Sequence, residues 1–113
     1  MLRADQPITP ALSTQLFNYM QDQSPGLALW FVLSDLQGGK SNDKELAKTS
    51  CFGHRDGMLF FQFYAIDANL LRPTFSPDIR KFITGMYDIV RGGVEGLETR
   101  VYPGYVDPDL GSE

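Results

Sequence analysis

At 113 residues, with 42% hydrophobic and 12% aromatic side chains, the chain has the composition of one small folded domain and not of a disordered polymer. Fourteen acidic against ten basic residues give a formal charge of −4, and no basic run is present to neutralise phosphate, which argues against a nucleic-acid partner. No apolar stretch approaches a bilayer span, no signal-peptide pattern is visible at the N-terminus, and the single cysteine, Cys51, leaves the compartment undetermined.

Thr9-Pro10 reads as an N-cap followed by proline in the first turn of a helix. Leu12, Leu16, Tyr19 and Met20 fall at helical spacing, and Ser24-Pro25-Gly26 ends the element. Residues 27–36, LALWFVLSDL, predict a strand with apolar side chains on both faces, hence a central strand covered on each side. Gly38-Gly39 breaks it, and 40–56 reads as polar and irregular. A second strand is expected from Met58 to about Ile66, with Phe60, Gln62 and Tyr64 on one face and Leu59, Phe61, Phe63 and Ala65 on the other. Ser76-Pro77-Asp78 opens a second helix by the same cap-plus-proline device. Its stripe is Ile79, Phe82, Ile83, Met86, Ile89 and Val90, and Gly92-Gly93 closes it. Leu97 to Tyr105 reads as a short strand ended by Pro103 and Pro108. The order predicts an α+β fold, helices on one face of an antiparallel sheet, with strand edges that need a partner.

Gly39-Lys40-Ser41 after a strand is not a phosphate loop, because Ser34 stands where the first glycine of that pattern belongs. No G-x-G-x-x-G or G-x-S-x-G occurs. Cys51 and His54 could chelate a metal, but no further Cys or His exists to complete a zinc site, so no metal is expected. His54-Arg55-Asp56 has two readings: a turn into the second strand with Arg55 pairing locally and Gly57 absorbing the bend, or a catalytic histidine. Asp35 ends an apolar row of Leu27, Leu29, Phe31 and Leu33. It is either a solvated strand end or a carboxylate at a cleft floor, equipped by partial desolvation as a proton acceptor. Gln62 and Tyr64 either supply polar contacts in an aromatic pocket or face solvent. Tyr105 follows Pro103-Gly104, where the chain is extended. A phenol is a poor base unless a neighbour such as Asp35 takes its proton onward.

Three blocks, LWFVLSDLQGGK (29–40), HRDGMLFFQFYA (54–65) and YPGYVDPDL (102–110), together resemble the berberine-bridge-enzyme-like flavin oxidases of the vanillyl-alcohol-oxidase fold, fungal carbohydrate oxidases among them. In that family the last block usually reads Asn-Tyr; here Gly104 replaces the asparagine, while Tyr105 and Asp107 match. The resemblance implies that residues 1–113 are part of a substrate domain of an FAD-linked oxidoreductase, with 101–113 the start of its C-terminal segment. The FAD-binding domain would lie elsewhere, in the same or a split protein. It implies that Tyr105 helps deprotonate a substrate hydroxyl, that Asp35 assists, and that Phe31, Leu33, Gln62 and Tyr64 line the pocket. Hydride would pass to flavin N5, dioxygen would reoxidise the flavin, and this chain alone would be inactive. The apolar character of Phe31 and Leu33 adds weight to a secondary metabolite over a carbohydrate. Secretion would be usual for the family. Two other classes stay open: a non-catalytic α+β module binding a ligand or partner, and a small hydrolase or isomerase built on His54.

Overall fold

The computed structural model describes residues 1–26, 28–69, 71, 74–98 and 100. Its elements are β1 (Leu2–Arg3), α1 (Pro10–Gln23), β2 (Ala28–Leu36), β3 (Gly57–Asp67) and α2 (Pro77–Gly93). Two short 3-10 helices, Gly39–Asn42 and Lys44–Lys48, lie between β2 and β3. The strands form one antiparallel sheet in the order β1-β3-β2. The architecture is α+β, as expected.

Each helix begins where local chemistry starts it. Thr9 Oγ1 accepts from Leu12 N at 3.1 Å, satisfying a backbone donor that the first turn leaves unpaired, and Pro10 occupies the first turn. At α2 the device differs from expectation, because the Ser76 side chain makes no capping hydrogen bond. The Asp67 carboxylate works one connection earlier instead, accepting from Asn69 N at 2.9 Å and from Ser76 N at 3.0 Å, which sets the path from β3 into the helix. Asp78 in the first turn and Arg91 in the last complement the helix dipole.

The core lies between the two helices and one face of the sheet. Leu2, Leu12, Leu16, Phe82, Met86, Val90 and Val94 form its buried centre, with Trp30, Val32, Leu59, Phe61 and Phe63 packed against it from the strands. Phe82 joins the layers, stacked on Tyr19 at 5.7 Å and edge-on to Trp30 at 5.2 Å. Trp30 Nε1 donates to Ser24 Oγ at 2.7 Å and so pins the start of β2 to the end of α1. Gly85 and Gly93 let the helices close, since a side chain at either would overlap Tyr19 or Leu12. Among the described residues no helix is long and apolar enough to cross a membrane.

Two expectations are corrected, and a third lies mostly outside the described residues. β2 is an edge strand and β3 the central one, and β2 is covered on one face only: Leu29, Phe31 and Leu33 are 62%, 40% and 43% exposed. With both helices on the Trp30 side, a strand that is apolar on both faces leaves one of them open. Of the segment Leu97 to Tyr105, expected as a strand, Leu97, Glu98 and Arg100 are not in a strand and the rest lies outside the described residues; among the described residues the third strand is Leu2–Arg3. Finally, 40–56 contains the two 3-10 helices and is not irregular throughout.

Candidate ligand-binding face of the sheet

Alternation along a strand places every second side chain on one face, and the register decides which ones meet across strands. Leu29 pairs with Ile66, Phe31 with Tyr64, Leu33 with Gln62 and Asp35 with Phe60. All eight therefore point away from the helices. Phe31 and Tyr64 stack with centroids 5.0 Å apart. Tyr64 Oη donates to Gln62 Oε1 at 2.7 Å, and Gln62 Nε2 donates to Asp35 Oδ2 at 3.2 Å, across the diagonal of the ladder. The carboxylate accepts only, which fixes the amide with its nitrogen toward Asp35. The result is a polar relay, Tyr64 to Gln62 to Asp35, on an apolar floor.

Of the six residues singled out from sequence, Phe31, Leu33, Asp35, Gln62 and Tyr64 are thus brought together, and Tyr105 lies outside the described residues. Gln62 and Tyr64 are half-buried and bonded to each other, not simply dissolved in water. Asp35 is exposed: it meets solvent as a strand end does and is not at the floor of a cleft. Its Oδ1 has no protein partner among the described residues, so one oxygen stays available to accept a proton or a hydroxyl. Sequence reasoning passed over Ile66, 54% exposed on the same face, whose place is visible only once the register sets it beside Leu29.

His54-Arg55-Asp56 follows the turn reading in its arginine. Arg55 donates to Ser41 O at 2.8 Å, Leu46 O at 3.4 Å and Ser50 Oγ at 2.8 Å, tying the loop before β3. Gly57 is needed for close approach rather than for a bend, because a side chain there would meet Met1 and Gln37. His54 packs against the edge of Phe52 at 5.7 Å. Cys51 is an exposed free thiol, and no group of three or more His, Cys, Asp or Glu converges among the described residues.

The residues of the open face do not form a seat for FAD. Among the described residues Leu29, Phe31, Leu33 and Ile66 form an exposed floor, covered only toward the buried Phe60, and Asp35, Gln62 and Tyr64 are bonded to one another, leaving no set of donors there for a pyrophosphate or the flavin carbonyls. What the face can do is lay an apolar ring or chain on Leu29, Phe31, Leu33 and Ile66 while Asp35 takes a hydroxyl at its edge. No family model, curated protein or solved structure matches this chain.

Proposed function

We propose that this chain is the substrate-facing part of an FAD-dependent oxidoreductase acting on a hydroxyl-bearing small molecule, a secondary metabolite or a carbohydrate, with the flavin carried by a separate domain. The observation that supports this most is the convergence of Phe31, Leu33, Asp35, Gln62 and Tyr64, drawn from two strands, on one open face. In this reading the apolar floor orients the substrate, and Gln62 holds the Asp35 carboxylate so that its second oxygen meets a substrate hydroxyl or the Tyr105 phenol. The covering wall would be the flavin-bearing domain.

Immunodetection of the native polypeptide tests it. A band several times larger than the 113-residue chain, releasing flavin fluorescence on denaturation, is expected. In that protein Asp35→Ala and Tyr105→Phe should each slow flavin reduction by about 10²-fold or more, the usual worth of a general base, with bound flavin unchanged. A flavin-free band of the chain's own size overturns the proposal. It would favour the second reading, a free-standing ligand-binding module, to which the self-contained cluster from Leu2 to Val94 lends weight.

A further inference from the structure

On an acidic protein, one cleft gathers positive charge. It is open, about 510 Å³ in volume, and lies between the 3-10 helix Lys44–Lys48, the turn 53–56 and Arg100. Among the described residues three cations line it, Lys44, Arg55 and Arg100, with His54 beside them and Asp56 as the one carboxylate. The three cations are not equally compensated. Arg100 is held by Asp56 at 2.6 Å and by Glu98 at 2.9 Å, which keep its guanidinium firmly charged and spend its positive potential. Arg55 is bonded to two backbone carbonyls and a hydroxyl, all neutral, and its guanidinium is steadied 5.5 Å from the Phe52 ring centroid. Lys44 is exposed, and its side chain makes no hydrogen bond or ion pair among the described residues. Two cationic residues without a carboxylate partner among the described residues therefore line one cleft, in a chain whose formal charge is −4.

Like charges held together on a surface repel, and an anion placed between them relieves that repulsion while gaining charge-assisted hydrogen bonds. We propose that this cleft binds a small oxyanion, a carboxylate- or phosphate-bearing molecule, between Lys44 and Arg55, with His54 as a further polar contact. The site is separate from the open sheet face and does not depend on the oxidoreductase reading. Arg55 serves in it as a preset element, because the bonds that tie the loop also fix its guanidinium before any ligand arrives.

The test is a titration of the isotopically labelled full chain with inorganic phosphate, and in parallel with citrate, followed by amide resonances. Saturable shifts confined to Lys44 and Gly53–Asp56 are expected, and the tighter of the two anions names the ligand class. Lys44→Glu, at an exposed position where the side chain has no bonds to lose among the described residues, should weaken binding about tenfold at low salt, as reversal of a charge on the cleft lining requires. Asp56→Asn should act in the opposite direction, strengthening binding several-fold by releasing Arg100 toward the cleft. Shifts that do not saturate, or that are the same in Lys44→Glu as in the parent chain, overturn the proposal.

Discussion

Replacing Phe82 and Phe31 by alanine, one at a time, measures which face of the sheet carries the core. Phe82 is 2% exposed and touches both Tyr19 and Trp30. Truncating such a ring costs about 3–5 kcal/mol, from lost transfer energy and the cavity left among α1, α2 and β2. A chain of this length holds about 6–17 kcal/mol in all, at about 0.05–0.15 kcal/mol per residue, so this one change removes a large share. Phe31 is 40% exposed and, among the described residues, has one ring contact, with Tyr64. Its truncation leaves no closed cavity and should cost about 1 kcal/mol, the partial burial and the stack together. The gap of about 2–4 kcal/mol is a difference of about 30-fold or more in folding constant. Urea unfolding read by circular dichroism, with fluorescence of Trp30, the chain's only tryptophan, as a second probe, resolves it. Equal losses for the two variants would refute the reasoning. The Leu29-Phe31-Leu33 face would then be packed against some other part of the molecule and could not serve as a ligand floor.

Two further predictions concern the chain's ends and connections. In a polypeptide that begins at Met1, the α-amino group is held below its ordinary value of 8.0, first by burial and then by the Arg100 charge. The unfolded chain therefore binds more protons than the folded one between the lowered value and 8.0, so stability should rise with pH through that interval and level off above it. Acetylating the N-terminus should flatten this rise, and a slope that survives acetylation would assign it to another group. Asp67→Ala leaves the Asn69 and Ser76 amides without their acceptor, at a cost of about 1–3 kcal/mol. Hydrogen exchange at those two amides should accelerate beyond the change in global stability; unchanged protection would show that the carboxylate does not hold the connection.

The helices and the two long strands were legible because their signals are local. Thr9-Pro10 and Ser76-Pro77 mark the starts of α1 and α2, and the stripe from Ile79 to Val90 reports a 3.6-residue period that burial then uses. The polar residues interrupting β3 were legible for the same reason: alternation alone puts Gln62 and Tyr64 on one face. β1 was not legible, since a two-residue strand has no period to read; it exists because β3 offers it a partner lane.

By itself, then, the sequence determined the two helices, the two long strands, the α+β class and the sets Leu29-Phe31-Leu33-Asp35 and Gln62-Tyr64 that each strand presents on a side. Only the tertiary structure decided that these two sets are the same side. It also decided that β2 is an edge, that this side is the open one, and that Lys44, Arg55 and Arg100 line one cleft. The division has a physical cause. Period and capping depend on neighbours a few residues away, whereas register and the choice of covered face depend on contacts such as Phe31 with Tyr64 and Trp30 with Phe82. For a strand apolar on both faces, as β2 is, nothing local tells which face the helices will take.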